Sequence, residues 1–236
     1  MKCIITGGAG FIGSHLVEQL PDYVGLDLKS KNDILTCKLP EADMVVHLAA
    51  LSTVLECIDD PLEAVRQNIE GTVRLAQHYK DKRFIFISSG GEIQETVESP
   101  YGMTKYAAEE LVKFICKDYV ILRLANVYGA DGSHSVVEKF LNGDIEIFGD
   151  GSSRRTYVHV SDIVRGIISA QGWSSGTYTL GRWQNLPVLS LAKATGKEIK
   201  FGQPKLGERR HSRVKTSAPL WKPKINVLDY IKEQTA

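Results

Sequence analysis

The amino-acid sequence predicts an α/β fold, a doubly wound parallel sheet with a small C-terminal substrate-binding part. Three observations support this prediction. Short apolar segments alternate with helical patterns over the first 125 residues, a glycine-rich turn follows the first apolar segment, and the pattern loosens after Leu124. Alternation of this kind is typical of right-handed βαβ units, which build a parallel sheet.

The first half of the chain contains five candidate strands, several of them apolar at nearly every residue, as a sheet buried on both faces requires. They are Lys2–Thr6, Tyr23–Asp27, Met44–Leu48, Arg83–Ser88 and Tyr119–Leu124. The candidate helices between them lie near Gly10–Leu20, Pro61–Tyr79 and Tyr101–Lys117. Ligands bind at the carboxyl ends of parallel strands, so we expect functional residues where these strands end.

Beyond Leu124 the predicted elements are shorter and more widely spaced. They are a helix near Ser135–Asn142, strands near Ile145–Phe148 and Val158–Val160, and a helix over Ser161–Ala170. The remaining residues carry short elements, several prolines and a basic stretch, Glu208–Lys215. We predict that residues 1–125 and 156–180 form the sheet domain and that residues 126–155 and 181–236 form the smaller part.

A glycine-rich turn, Thr6–Gly13, joins the first predicted strand to the first predicted helix. Its Gly-x-x-Gly-x-x-Gly spacing is a variant of the dinucleotide fingerprint of Rossmann-type domains, in which glycines let the backbone approach a pyrophosphate at a helix N-terminus. Glycines also form ordinary turns, so this interpretation depends on the strand–turn–helix context. The dinucleotide-binding residues that it predicts here are Gly7, Gly10, Phe11, Ile12 and Gly13.

Asp27 ends the second predicted strand, where a carboxylate can accept hydrogen bonds from the adenosine ribose hydroxyls. The same carboxylate would repel a 2′-phosphate, so the sequence favours NAD over NADP. The alternative is a turn residue at a strand end, but the preceding glycines make the cofactor role the better interpretation.

Tyr101 and Lys105 form a Tyr-x-x-x-Lys pair at the start of a predicted helix, where i, i+4 spacing places both side chains on one face. The pKa of tyrosine in water is about 10, and a nearby ammonium lowers it towards the range of a useful base. The pair can therefore exchange a proton with a sugar hydroxyl. The alternative is an exposed tyrosine beside an exposed lysine, a pair that occurs by chance in many helices.

Two serines, Ser88 and Ser89, end the fourth predicted strand at the edge where ligands bind. A hydroxyl at this place could hold the reacting sugar oxygen. Serine also simply terminates many strands, so the position alone leaves the role open.

The composition excludes several other classes of function. The 29 Lys and Arg residues balance 28 Asp and Glu residues, which gives no electrostatic reason to expect nucleic acid or an anionic membrane as a partner. The four cysteines and six histidines lack metal-ligand spacing. The chain also lacks a signal peptide and a stretch of about 20 apolar residues, so we expect a cytoplasmic protein without a metal.

The glycine turn, Asp27, the two serines and the Tyr-x-x-x-Lys pair together resemble the extended short-chain dehydrogenase/reductases, in particular the NAD-dependent epimerase/dehydratase family. Further segments resemble motifs of this family in the same order along nearly the whole chain. They are Asn32–Ile34, His47–Ala50, Asp60-Pro61 with Asn68, Leu122–Gly129, Phe148–Gly151 and Arg155–Val160.

The resemblance implies that NAD is the cofactor and that Tyr101 is the acid/base, with Lys105 as its tuner and Ser89 as the hydroxyl partner. Besides the glycine turn and Asp27, the implied cofactor-binding residues are Asp33, Ile34, Leu48, Ala49, Ala50, Asn68, Tyr101 and Lys105. The implied substrate-binding residues are Ser88, Ser89, Asn126, Glu146, Phe148, Arg155 and Lys205. Among these, Asn126 and Arg155 would bind the diphosphate, whereas Glu146 and Phe148 would lie near the nucleotide base.

The implied activity is 4-epimerisation of a nucleotide sugar, of the UDP-glucose/galactose type or a related one, through a transient 4-keto sugar. The family's dehydratases need an acid/base pair after the hydroxyl residue, where this sequence has Gly90 and Gly91. A nucleotide-sugar dehydratase or 4-ketoreductase is the alternative, and a non-catalytic NAD-binding protein on the same fold is the second alternative. Relatives commonly dimerise through the helices predicted at Pro61–Tyr79 and Tyr101–Lys117, so a homodimer is expected.

Overall fold

The computed structural model describes residues 2–20, 22–27, 32–93, 99–132, 135–182, 184–203 and 211–236. Within them the strands are β1 (Cys3–Thr6), β2 (Tyr23–Leu26), β3 (Met44–His47), β4 (Arg83–Ser89), β5 (Asp118–Leu124), β6 (Asn126–Tyr128), β7 (Ile145–Phe148), β8 (Arg154–Arg155), β9 (Tyr157–His159), β10 (Gly176–Leu180), β11 (Leu186–Pro187), β12 (Ile199–Gly202) and β13 (His211–Ser212). The helices are α1 (Phe11–Val17), α2 (Val54–Asp59), α3 (Pro61–Val65), α4 (Gly71–His78), α5 (Gly90–Ile93), α6 (Pro100–Ile115), α7 (Val136–Asn142), α8 (Val160–Ala170), α9 (Val188–Ala194) and α10 (Val227–Thr235), with a π-helical segment, Arg66–Glu70, between α3 and α4.

A six-stranded parallel sheet in the order β10-β5-β4-β3-β1-β2 forms the centre of the molecule. The chain runs from β1 to one side through β2 and then crosses to the other side through β3, β4 and β5, so the strand order is the 2-1-3-4-5 order of a doubly wound sheet, with a switch point between β1 and β3. The predicted doubly wound parallel sheet is therefore confirmed. The carboxyl ends of β1 and β3 meet at the switch point, where such sheets bind ligands.

Alternate residues of the strands enter two hydrophobic clusters, one on each face of the sheet. Cys3 and Ile5 pack with residues of α1 and α8, whereas Ile4, between them, packs with residues of α4 and α6. This alternation explains why the strands are apolar at nearly every position, since both of their faces are buried.

A third hydrophobic cluster lies in the later part of the chain. Its buried residues come from β6, α7, β7, β9, α9 and α10, namely Tyr128, Val137, Phe140, Ile145, Ile147, Tyr157, Leu191, Ala192, Val227 and Ile231. Val214, Ala218 and Trp221, which follow β13, pack instead with the cluster of α1 and α8. The division at residues 126–155 and 181–236 stays a prediction, and its last segment contributes to both clusters.

Several elements differ from their predicted bounds. The helix predicted over Pro61–Tyr79 is interrupted by the π-helical segment, which carries the inward-pointing Asn68. The helix predicted from Tyr101 begins at Pro100, because the Ser99 side chain accepts a hydrogen bond from the Gly102 N–H at 3.0 Å. Val160, predicted as the end of a strand, is the first residue of α8.

Within the described residues, no helix combines the length and apolar character that a membrane crossing needs. The same residues contain no cluster of three or more His, Cys, Asp and Glu side chains arranged to hold a metal ion.

Candidate active site

A cavity of about 1470 Å³ opens at the carboxyl ends of β1 to β5 and extends to α7 and β7. Its wall contains the glycine turn after β1, Asp27 after β2, Leu48 after β3, the serines that end β4, and Leu124 at the end of β5. Residues far apart in sequence therefore meet at one edge of the sheet, as the parallel topology requires.

The glycine turn presents bare backbone to this cavity. Gly7 has a φ of +71°, and a Cβ there would lie 2.7 Å from the Ala49 nitrogen. A Cβ on Gly13 would lie 2.1 Å from the Gly7 oxygen. Glycine is therefore required at both positions, and the surface that results fits the close approach of a dinucleotide pyrophosphate.

Asp27 lies against this turn. Its Oδ2 atom accepts a hydrogen bond from the Ala9 N–H at 3.0 Å, which fixes the carboxylate at the rim of the cavity. Asp33 and Ile34 line the same end, and Asp33 Oδ1 accepts a hydrogen bond from the Leu35 N–H at 2.9 Å. A carboxylate held in this place can accept hydrogen bonds from the ribose hydroxyls of a dinucleotide that lacks a 2′-phosphate.

The turn after β3 places Leu48, Ala49, Ala50 and Leu51 on the cavity wall. Asn68 lies behind this turn. Its Oδ1 atom accepts a hydrogen bond from the Leu51 N–H at 2.8 Å, and its Nδ2 group donates to the Leu51 oxygen and to Thr104 Oγ1, both at 3.0 Å. The structure thus places Asn68, predicted as a cofactor ligand, where it supports the backbone of the wall.

Tyr101 and Lys105 both line the cavity, one turn apart on α6. Lys105 is only 2% exposed, and its Nζ atom lies 4.1 Å from the centre of the Phe86 ring. Burial lowers the pKa of the Lys105 ammonium to about 7, and the Glu109 carboxylate opposes this shift. Lys105 is therefore a buried amine, and the exposed lysine considered as the alternative is wrong for this residue.

The two serines that end β4 also line the cavity. Ser88 is buried, and its Oγ atom has no hydrogen-bond partner among the described residues, whereas Ser89 is half-buried. A buried hydroxyl without a partner is costly, so a bound ligand or water is expected to complete it. The choice between Ser88 and Ser89 as the reacting hydroxyl stays open.

The residues predicted to bind substrate lie on the far side of the cavity. Asn126 on β6 donates a hydrogen bond through Nδ2 to the Thr156 oxygen at 3.2 Å, and Arg155 on β8 lines the same cavity. Glu146 and Phe148 line the cavity from β7. Lys205 lies outside the described residues.

Sequence reasoning missed Phe86, which contacts Lys105, and the ion pair between the buried Glu109 and the partly exposed Arg123. Phe86 lies two residues before Ser88 on β4, and Arg123 lies on the neighbouring strand β5. Glu109 was detectable, because it follows Lys105 by four residues and so shares its helix face. The two strand residues could not be identified from the helix pattern alone.

A Rossmann-type sheet with a glycine turn, a strand-end acid and a buried Tyr-x-x-x-Lys lysine in one cavity defines a dinucleotide-dependent protein. Residues 3–181 match the model of the NAD dependent epimerase/dehydratase family, and the chain belongs to this family. Its cofactor is NAD.

Several proteins similar to this chain act on UDP-sugars. The UDP-glucose 4-epimerase of Mycolicibacterium smegmatis is 30% identical, with 98% of this chain and 96% of the relative covered. The UDP-N-acetyl-alpha-D-glucosaminuronate decarboxylase of Bacillus cytotoxicus is also 30% identical, with 72% and 70% covered. The crystal structure of UDP-glucose 4-epimerase from Thermotoga maritima with UDP-glucose has a TM-score of 0.82 and 28% identity, with 100% and 97% covered.

Proposed function

We propose that this protein is a nucleotide-sugar 4-epimerase that acts on a UDP-glucose/galactose-type or related sugar. The observation that carries the proposal is the meeting of Tyr101, Lys105 and the β4 serines with the glycine turn in one cavity. The UDP-sugar 4-epimerases among the relatives favour the same reaction.

The residues proposed to hold NAD surround the inner half of the cavity. The bare backbone of Gly7, Gly10 and Gly13, with Phe11 and Ile12, fits the pyrophosphate, and Asp27 fits the adenosine ribose. The rest of the NAD molecule would be surrounded by Asp33, Ile34, Leu48, Ala49 and Ala50. Asn68 would support the backbone of this wall. When bound, NAD supplies the group that accepts and returns the C4 hydride.

The protein side chains supply proton transfer and orientation. Tyr101 takes the proton of the C4 hydroxyl as the C–H bond breaks, and it returns that proton when the 4-keto sugar is reduced on its other face. In its charged form, Lys105 favours the phenolate of Tyr101. Ser89, or Ser88, holds the reacting oxygen by a hydrogen bond. The reaction ends with a change of stereochemistry and no net oxidation.

The outer half of the cavity is proposed to bind the nucleotide diphosphate. Arg155 suits a phosphate because its guanidinium can donate two parallel hydrogen bonds. Asn126 lines the same cavity and is proposed to bind the diphosphate too, and Glu146 and Phe148 would face the base. Lys205 is proposed to bind the substrate as well.

Dehydration, the alternative activity, is disfavoured by the space around Gly90. A Cβ at this position would lie 2.8 Å from Val214 Cγ1 and 3.0 Å from the Leu124 oxygen. An acidic side chain at position 90 would therefore displace backbone or core atoms. Gly91 has more room, because its Cβ would meet Ser212 Oγ at 3.6 Å, but it carries no acid.

The test is NMR of UDP- and dTDP-sugars incubated with the purified protein and NAD. An epimerase produces new anomeric signals of the C4 epimer without accumulation of NADH. A keto or deoxy product would support the dehydratase or reductase instead. The Tyr101→Phe variant serves as the control, and equal behaviour of both proteins in every assay would favour a non-catalytic NAD-binding protein.

We also propose that the protein is a cytoplasmic homodimer. Exposed apolar side chains lie on α2, α3 and α6, three helices in mutual contact, and include Leu55, Leu62 and Met103. Such a patch is typical of an interface between protein chains. The four free cysteines fit a reducing compartment.

A further inference from the structure

Glu138 is a buried residue on the cavity wall that was not among the residues predicted to bind substrate. It is 6% exposed and lines the cavity from α7. Ser135, Lys139 and Asn142 line the cavity as well. Their i, i+3, i+4, i+7 spacing with Glu138 places all four residues on one side of the helix. The Glu138 side chain therefore belongs to the side of α7 that faces the cavity.

Tyr230 on α10 fixes the position of the Glu138 carboxylate. Its hydroxyl donates a hydrogen bond to Glu138 Oε1 at 3.0 Å. Burial, followed by this hydrogen bond, raises the pKa of Tyr230 to about 12, so the hydroxyl stays protonated and remains a donor at neutral pH.

The Tyr230 ring also connects Glu138 to the strands that carry the proposed diphosphate ligands. The ring lies 5.2 Å from the Tyr128 ring and 5.1 Å from the His159 ring, measured between centroids. Tyr128 and His159 are paired at the ends of β6 and β9, and β6 begins with Asn126. Glu138 is therefore held on the substrate side of the cavity.

The Glu138 carboxylate has fewer partners than a buried carboxylate needs. Such a group accepts about four hydrogen bonds. Among the residues that the structure describes, Tyr230 is its one side-chain donor, and no Lys, Arg or His forms an ion pair with it. A buried carboxylate in this condition is costly. Because Glu138 lines the cavity, a ligand bound there can supply a further donor.

Hydroxyl groups are the donors of a nucleotide sugar that fit this carboxylate best. The diphosphate carries acceptor oxygens and a charge of the same sign, so a carboxylate repels it. The imide N–H of a uracil base lies between two carbonyl oxygens, which a carboxylate would also meet. The hydroxyls of the ribose and of the sugar are neutral donors, and hydrogen bonds from them to a carboxylate are strong.

We propose that Glu138, held by Tyr230, is a further substrate-binding residue whose carboxylate accepts a hydrogen bond from a hydroxyl of the nucleotide sugar, on its ribose or on its sugar ring. This inference rests on the proposed function, which supplies the class of substrate. A site of this kind rejects a ligand that lacks the contacted hydroxyl, because the buried carboxylate is then left without its donor.

The test compares ligands that differ in their hydroxyl groups. UDP, 2′-deoxy-UDP, 3′-deoxy-UDP and UDP-glucose are titrated calorimetrically into the NAD-loaded protein. The same titrations are made with the double variant Glu138→Met with Tyr230→Phe, because replacing both partners of a hydrogen bond by apolar groups of similar shape is often tolerated. Glu233→Gln is the matched control, since Glu233 is an exposed carboxylate on α10 outside the described cavity wall.

The two sources of the hydroxyl give different expected results. If it belongs to the ribose, the wild-type protein binds UDP about tenfold more tightly than one deoxy analogue, and the double variant binds both within about twofold. If it belongs to the sugar ring, the double variant loses about tenfold in affinity for UDP-glucose but stays within about twofold for UDP. Glu233→Gln should retain the wild-type affinities.

A folded double variant that weakens all four ligands equally, or none of them, would overturn the role of Glu138, even in an active epimerase. A hydroxyl-dependent loss of affinity in a protein without epimerase activity would leave this role intact and refute the proposed reaction. A wild-type protein that binds neither UDP nor UDP-glucose would refute both. If circular dichroism shows that the double variant is unfolded, Glu138→Gln replaces it, with a smaller expected loss because the amide oxygen still accepts a hydrogen bond.

Discussion

His47 shows how a single buried side chain can stabilise a binding surface. One ring nitrogen lies 2.7 Å from Thr6 Oγ1 and the other lies 2.9 Å from Thr72 Oγ1. Thr6 Oγ1 also accepts a hydrogen bond from the Ala49 N–H at 3.1 Å. Because the low pKa of His47 keeps the ring neutral, it can donate to one hydroxyl and accept from the other.

The glycine turn allows a matched comparison between two of its residues. A Cβ on Gly13 would lie 2.1 Å from the Gly7 oxygen, whereas the nearest atom to a Cβ on Gly8 is Val17 Cγ1 at 3.4 Å. We expect Gly13→Ala to distort the turn, to weaken NAD binding at least about tenfold, and to destabilise the fold by about 1–3 kcal/mol.

Gly8→Ala should leave NAD affinity within about twofold, because an added methyl group meets only ordinary van der Waals contacts there. Calorimetric titration with NAD measures both variants. Equal affinities for NAD would show that the turn does not approach the cofactor.

The helices and strands that have a clear local sequence pattern are the ones that were predicted best. The strands of the first half agree with their predicted bounds to within one residue, because their apolar runs end at polar residues or at turns. β10 was missed because Thr177, Tyr178 and Thr179 are half-exposed at the sheet edge and form no apolar run. α2 was also not predicted, although its start carries a local signal. Thr53 Oγ1 accepts a hydrogen bond from the Glu56 N–H, as in a capping box.

The residues of the candidate site divide in the same way into local motifs, which were predicted, and contacts between distant elements, which were not. The glycine turn and the Tyr101–Lys105 pair are local motifs, so sequence spacing reveals them. The contact of Lys105 with Phe86 and the pairing of Glu109 with Arg123 join elements whose packing is set by the whole sheet. Such contacts depend on strand order and register, which spacing within one segment does not specify.

The π-helical segment between α3 and α4 supports the cavity through Asn68. We expect Asn68→Ala to destabilise the protein by about 1–3 kcal/mol, because it leaves the partly buried Leu51 backbone groups and the buried Thr104 without this partner. Urea unfolding measures this loss.

Gln67→Ala is the control for Asn68→Ala. Gln67 is the preceding residue, and its side chain donates to the partly exposed Glu63. Its removal should cost less than about 1 kcal/mol. A similar cost for both variants would mean that the Asn68 hydrogen bonds do not support the cavity wall.

For the molecule as a whole, the last part of the chain joins its two regions. Asp162 at the start of α8 accepts hydrogen bonds through Oδ2 from the N–H groups of Lys224 and Ile225, at 2.8 and 3.0 Å. Trp221 Nε1 donates a hydrogen bond to the backbone oxygen of Asp162 at 3.0 Å. These contacts hold the segment before α10 on the sheet domain, while α10 itself packs in the third cluster.

The proposed dimer can be tested by replacing exposed apolar residues on α3 and α6. Leu62 is 82% exposed and Met103 is 55% exposed, so replacing both by glutamate should not disturb the core. We expect the double variant to be monomeric at micromolar concentration by size-exclusion chromatography with light scattering, because two charges would be buried at the interface.

Phe201→Glu serves as the control for the dimer variant. Phe201 is 57% exposed but lies on β12, outside the three helices, so its replacement should leave the dimer intact. A wild-type protein that is itself monomeric would contradict the proposed dimer.

The tight packing at Gly90 restricts how this protein could evolve. Val214, which fills the space above Gly90, is 124 positions away in the chain and lies in the segment that follows β13. An acid at position 90 would need both a smaller side chain at position 214 and a shift of the Leu124 backbone oxygen, which would lie 3.0 Å from the new Cβ. A change of chemistry at this place thus needs more than one substitution, and a smaller residue at position 214 on its own leaves a void in the core.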